Sequence, residues 1–124
     1  MSIAAACLIG ACGHSQTYSM DGAWIRGGVS GDRFGIIVLL LREEDGRVTG
    51  TACRTSSGHL IFRDVPVTGR YPRLTFELGD GRYAGGIISD EFVNGFFEYP
   101  GGSQEWTFLR TSPSDYDACQ RARP

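Results

Sequence analysis

The fold is most clearly indicated by residues 73–88, which read RLTFELGDGRYAGGII. Leu74, Phe76 and Leu78 alternate with polar residues, and this period of two is typical of a strand with one face in a core. The turn sequence Gly79-Asp80-Gly81 follows, and a second strand-like run begins directly after it. The stretch therefore predicts a β-hairpin with one buried face.

Similar runs, separated by turn signals roughly every 8–13 residues, continue on both sides of this hairpin. They cover approximately residues 21–26, 33–43, 47–55, 59–69, 72–78, 82–88, 91–99 and 103–110. Strands joined by short turns close most simply into a barrel, because closure leaves no unpaired edge. We predict an all-β domain over residues 21–112, an eight-stranded antiparallel up-and-down β-barrel, with a β-sandwich as the alternative.

Four strands carry a glycine at a matching place. The segments are Val48-Thr49-Gly50, Val67-Thr68-Gly69, Tyr83-Ala84-Gly85 and Val93-Asn94-Gly95. Glycine inside a strand is unfavourable unless the sheet needs close backbone approach or sharp coiling. A shared geometric cause in a small barrel explains the repeat better than four unrelated bulges.

The strand Ile36–Leu41 is apolar on both faces, whereas a barrel wall normally has one face in water. Something should therefore cover its outer face. We expect a second subunit in a homodimer, a partner protein, or the C-terminal tail over residues 113–124. This tail is polar and predicts one helical turn near residues 114–121.

Both ends of the predicted barrel carry residues typical of a known group. Gly22-Ala23-Trp24 opens the first strand, and Arg110 closes the last strand on the same face as Trp106 and Phe108. This arrangement resembles the calycins, which include lipocalins, avidins and fatty-acid-binding proteins. The resemblance implies that Trp24 plugs one barrel end and that Arg110 lies against its indole.

Two functions suit such a barrel. The first is binding of a small apolar ligand in a barrel mouth lined by Trp24, Phe76, Trp106 and Phe108, since eight strands enclose room for one small ligand. The alternative is a protein-interaction or inhibitor module with a filled barrel, which acts through its outer face and loops. Biotin is not expected, because Ala52-Cys53-Arg54 has no tyrosine where avidins place a ligand-binding one.

The N-terminal residues carry a second resemblance. Residues 3–11 form a short uncharged apolar run, too short to span a bilayer and of the length of a signal-peptide core. The run ends in Ile9-Gly10-Ala11-Cys12, which resembles the bacterial lipobox, although no Lys or Arg precedes it. The resemblance implies a signal peptide over 1–11, a lipid on Cys12, a flexible tether over 12–20, and a place on the periplasmic face of a bacterial envelope membrane. A buried N-terminal helix is the alternative.

The number of cysteines is consistent with a periplasmic location. After processing, Cys7 is lost and Cys12 carries lipid, which leaves Cys53 and Cys119. An even count outside the cytosol favours a disulfide between these two, which would fasten the tail to a mid-chain strand. The alternative is two unpaired thiols in a cytosolic protein.

Composition argues against several functions. The chain of 124 residues has a formal net charge of -2 and no lysine, so nucleic-acid binding, Schiff-base chemistry and a P-loop are not expected. His59 is the one histidine of the predicted domain, and no nucleophile motif accompanies it. We therefore predict no catalytic residues, no metal site and no cofactor.

Overall fold

The computed structural model describes residues 18–27 and 34–124, so the lipobox-like segment, Cys12 and the predicted signal peptide lie outside the described residues. Its elements are β1 (Gly22–Arg26), β2 (Ile36–Glu44), β3 (Arg47–Ser56), β4 (His59–Arg70), β5 (Arg73–Leu78), β6 (Gly81–Ser89), β7 (Phe92–Tyr99), β8 (Gly102–Thr111) and α1 (Pro113–Arg121). The predicted strands agree with these bounds to within three residues.

Every strand pairs antiparallel with the next one along the chain, and β8 returns to pair with β1. At this seam Trp24 lies opposite Arg110 and Ala23 lies opposite Thr111. The sheet is therefore a closed barrel, which confirms the predicted eight-stranded up-and-down fold and excludes the sandwich.

The core follows the period of two that the sequence shows. In β5, Leu74, Phe76 and Leu78 point inward and are buried, while Arg73 and Glu77 face solvent. The large side chains that fill the interior come from every strand, because each one turns alternate residues inward. They are Met20, Trp24, Phe34, Ile37, Leu39, Leu41, Val48, Val67, Leu74, Phe76, Leu78, Tyr83, Ile87, Val93, Phe97, Trp106 and Phe108.

The repeated glycines lie where neighbouring strands approach closely. A Cβ atom added to Gly50, Gly69 or Gly95 would lie 2.1–2.2 Å from a carbonyl oxygen of the adjacent strand, and one added to Gly85 would lie 2.5 Å from the Tyr83 hydroxyl. A Cβ atom at Gly85 would also lie 2.7 Å from the Asn94 carbonyl oxygen. The shared geometric cause is therefore crowding between strands at all four positions, with the inward Tyr83 adding to it at Gly85.

Gly95→Ala should lower the free energy of unfolding by about 1–3 kcal/mol, because the new methyl group forces the backbones of β6 and β7 apart. Urea denaturation measures the loss. Gly27→Ala is the matched control, since a Cβ there meets no atom within 4 Å. Equal stability of the two variants would contradict the explanation.

The C-terminal tail forms a longer helix than the single turn predicted. Helix α1 spans nine residues because Ser112 caps its first turn through a hydrogen bond from the Ser114 backbone N–H, and Pro113 stands at a first-turn position that tolerates proline. The predicted disulfide is present: Cys53 and Cys119 are bonded, with their Cα atoms 6.1 Å apart.

Helix α1 covers the strand that is apolar on both faces. Val38 and Cys53 on the outer face of β2 and β3 pack against Tyr116 and Cys119 of the helix. Of the three candidates for covering this strand, the tail is therefore in place, and the disulfide holds it there.

The segment before β1 is more ordered than the predicted tether. Met20 is fully buried in the core, its backbone N–H donates to Glu43 Oε1, and its carbonyl accepts the Trp24 indole N–H at 3.0 Å. Residue 20 therefore belongs to the barrel and not to the tether. The prediction was wrong here because a single methionine in a polar stretch gives no periodic signal.

Candidate functional site

One end of the barrel is closed by the contact that the calycin resemblance implies. Trp24 has no exposed surface, and the Arg110 guanidinium lies 4.2 Å from the centroid of its ring. Three carbonyl oxygens fix the guanidinium: those of Asp90, Asp21 and Ser19, at 2.7, 2.8 and 2.6 Å. Arg110 therefore connects the segment before β1, strand β8 and the β6–β7 turn at this end of the barrel.

The opposite end has a second arginine–tryptophan contact, which the sequence analysis did not single out. The Arg26 guanidinium lies 4.6 Å from the Trp106 ring centroid and donates to the Gly35 carbonyl and to Gln104 Oε1. Arg26 is the one charged side chain that is buried among the described residues, with 7% exposure. Arg26 follows Trp24 by two residues, so the alternation of side chains along β1 already places both on the inward face.

The four predicted ligand-lining side chains, Trp24, Phe76, Trp106 and Phe108, all point into the barrel and are at most 3% exposed. Three of them surround Tyr83: Phe76 stacks on it at 5.0 Å, Trp106 at 5.9 Å, and Phe108 meets it edge-on at 5.3 Å. Close-packed rings leave the interior filled with side chains. The ligand role of these four residues stays a prediction.

Tyr83 is the polar group at the centre of this packing. Its hydroxyl donates to the Trp106 carbonyl at 3.2 Å. Burial raises the pKa of the Tyr83 hydroxyl well above its ordinary value, and the nearby Glu105 carboxylate raises it further. Tyr83 is therefore a neutral, hydrogen-bonded residue of the core.

The outer surface carries an apolar belt, formed by successive cross-strand neighbours on five strands. Its members, from β7 to β3, are Phe92, Leu109, Ile25, Val38 and Cys53. Helix α1 packs over the Ile25, Val38 and Cys53 part of the belt. Leu109 stays 47% exposed and Phe92 39% exposed, so the other part of the belt has no cover from the helix.

Beyond this uncovered part, the outward-facing residues of β6, β7 and β8 form a surface that we call the outer wall. The wall comprises Arg82, Ala84, Gly86, Ile88, Phe92, Asn94, Phe96, Glu98, Ser103, Glu105, Thr107 and Leu109. It holds four of the six large apolar side chains that are exposed within the described residues, with Ile88 at 61% and Phe96 at 52%. The other two, Ile36 and Ile61, lie on β2 and β4, away from the wall.

A groove runs along β6, between β5 and β7. It has a volume of about 530 Å³; Ala84 and Gly86 lie along it, and Ile88 and Phe96 border it. A neighbouring cavity of about 540 Å³ is lined by Phe92, Leu109 and Glu91. The groove exists because β6 presents small outward residues beside the large ones of β7. The sequence analysis considered β6 only for its glycine and its buried face.

The described residues contain neither a cluster that could hold a metal ion nor a helix that could span a membrane. Within residues 18–27 and 34–124, no three His, Cys, Asp or Glu side chains come close enough to hold a metal ion. In the same part of the chain, no helix is long and apolar enough to cross a membrane.

Comparison with known proteins gives no match: no family model, no curated protein and no solved structure matches the chain. The eight-stranded antiparallel barrel is consistent with a calycin-like fold, and that likeness rests on the barrel and on the Trp24–Arg110 contact.

Proposed function

We propose that this protein is a non-catalytic, lipid-anchored interaction module of the bacterial cell envelope, which acts through the outer surface of a filled barrel. The observation that carries the proposal is the contrast between the two sides of the sheet. Inside, Trp24, Trp106 and Phe108 have no exposed surface. Outside, the wall exposes large apolar side chains around a groove, and such patches on soluble domains typically mark interaction sites.

The alternative function is a small apolar ligand in the barrel mouth, where the four candidate lining side chains are at most 3% exposed. At one end Arg110 covers Trp24, and at the other Arg26 covers Trp106. A ligand would have to separate these contacts before it entered. Specific ligand pockets generally offer about 300 Å³ or more of preformed space.

The envelope location rests on two features. The segment Ile9-Gly10-Ala11-Cys12 resembles a lipobox, in which Cys12 would receive the lipid. The Cys53–Cys119 disulfide is typical of an oxidising compartment such as the periplasm. A lipid on Cys12 would hold the barrel at the periplasmic face of a membrane, on a short tether that enters the Trp24 end.

Cys12→Ser should move the protein from the membrane fraction of bacterial cells to the soluble fraction, because the variant has no thiol to acylate. Quantitative immunoblotting of the two fractions measures the shift. Cys7→Ser is the matched control and should leave the distribution unchanged. Identical fractionation of the wild type and Cys12→Ser would rule out the anchor.

Native mass spectrometry of the purified protein tests the filled barrel. We expect a single species whose mass equals residues 12–124 plus the covalent lipid, because the inward side chains of the barrel pack against one another. An apolar adduct at a one-to-one ratio, lost in Phe108→Ala and kept in Phe96→Ala, would favour the barrel-mouth ligand instead. Phe96 is the control position because it lies on the outer wall.

A further inference from the structure

We propose that the outer wall binds a second copy of this chain, in a two-fold symmetric contact along the β6–β7 hairpin. The inference rests on the proposed function, since it names the partner of the same surface. It is argued from the chemistry of the two strands, which is complementary position by position.

Cross-strand neighbours on the wall differ in a regular way. Arg82 lies opposite Glu98, and Ala84 lies opposite Phe96. Further along, Ile88 on β6 and Phe92 on β7 are both large and exposed. Strand β6 thus presents a cation, two small residues and a large apolar one, while β7 presents an anion, a large apolar residue, the polar Asn94 and a second large apolar residue.

A two-fold axis that runs along the hairpin, between β6 and β7, lays β6 of one copy over β7 of the other. Arg82 then faces Glu98 of the second copy. The groove along Ala84 and Gly86 receives Phe96 of the second copy, and Ile88 meets its Phe92. Opposite charges meet, a large side chain enters a groove, and two apolar side chains pack, as a self-complementary interface requires.

The middle of the wall is polar, and its polar groups already have partners within the chain. The Asn94 amide donates to Glu105 Oε2 at 2.9 Å, and Asn94 Oδ1 accepts from the Thr107 hydroxyl at 2.6 Å. These bonds satisfy part of the hydrogen-bonding capacity of Asn94, which lowers the penalty for covering it.

The size of the wall sets the strength of the contact. Three strands at spacings of about 4.8 Å, each with about eight residues at about 3.3 Å, give a surface of roughly 400 Å². This is about half of the roughly 800 Å² per partner that is typical of stable complexes, so the contact belongs with weak, transient interfaces. The dimer should be weak in dilute solution and favoured where copies are concentrated on one membrane.

The test uses the full chain in the cell envelope, with p-benzoylphenylalanine in place of Phe96 and with two differently tagged copies expressed together. Irradiation should give a product that carries both tags, with the crosslink on residues 84–88 of the second copy. The same probe at Ile61, an exposed apolar residue on β4, should give none.

Charge reversal tests the predicted register. Arg82→Glu expressed alone brings two carboxylates together at each contact, and Glu98→Arg expressed alone brings two guanidiniums together. Each should reduce the doubly tagged product about tenfold or more. Co-expression of Arg82→Glu with Glu98→Arg should restore it, because every facing pair is again of opposite charge.

The remaining outcomes are distinct. Crosslinks from position 96 that reach only other proteins would overturn the second copy and leave the proposed function intact. An absence of protein crosslinks from position 96 would overturn both. A doubly tagged product that is insensitive to the charge pairing would overturn the two-fold arrangement along the hairpin.

Discussion

Trp24→Ala should lower the free energy of unfolding by about 3–5 kcal/mol, the largest effect that we expect from any single substitution. The indole is completely buried, so its removal leaves a cavity at the barrel end. It also removes the ring that Arg110 covers at 4.2 Å and the N–H that holds the Met20 carbonyl. A loss of this size is a large part of the total stability of a small domain, roughly 5–15 kcal/mol.

Urea denaturation followed by far-UV circular dichroism measures this loss, provided that the slope of the transition is unchanged. Phe96→Ala is the control, because it removes an exposed aromatic ring from the outer wall and should change stability by no more than about 0.5 kcal/mol. Arg110→Ala should cost less than Trp24→Ala, since the indole stays in place. If Trp24→Ala and Phe96→Ala had similar stabilities, Trp24 would not be the plug described above.

Removing the disulfide should have the second largest effect. In the double variant Cys53→Ala/Cys119→Ala, no bond joins the two positions, which are 66 residues apart in the sequence. The unfolded chain between them is therefore no longer constrained. Loop-closure entropy for that length corresponds to about 4 kcal/mol, and measured losses are typically 2–4 kcal/mol. Helix α1 also loses its covalent attachment over Val38, which is 1% exposed in the intact protein.

The same urea titration, with and without dithiothreitol, separates the crosslink from the cysteine side chains. Reductant should destabilise the wild type to the level of the double variant and should leave the double variant unchanged. Ser112→Ala is the control for a weakened helix with the disulfide intact, since loss of the N-cap lowers stability by about 1 kcal/mol. A double variant with wild-type stability would show that the bond adds nothing to the fold.

Much of the architecture follows from local sequence pattern. Alternating residues such as Leu74 and Phe76 fix which face is buried, and turns such as Gly79-Asp80-Gly81 fix where the chain reverses. The Trp24–Arg110 contact was expected only through the resemblance to calycins, because no local rule joins residues so far apart. Closure then makes the register of β1 against β8 specific.

The outer wall was missed for a physical reason. Exposed Phe96 and Ile88 have the same period of two as buried residues, so alternation alone does not show which face will be uncovered. Helix α1 was underestimated because its nine residues have a weak apolar pattern, and the disulfide supplies much of what holds it in place. The buried Arg26 was missed because a charged residue in a strand normally faces solvent.

The Arg110 contact that closes the barrel can form only late in the synthesis of the chain. Arg110 binds the Asp21 carbonyl, 89 residues earlier in the chain. At about 5–20 residues per second, roughly 4–18 seconds pass between the synthesis of these two residues. During that interval β1 lacks one of its two neighbouring strands, and Trp24 lacks its cation. Contacts of such long range also form slowly. Strand β1 therefore waits for its second neighbour until the last strand of the barrel has been made.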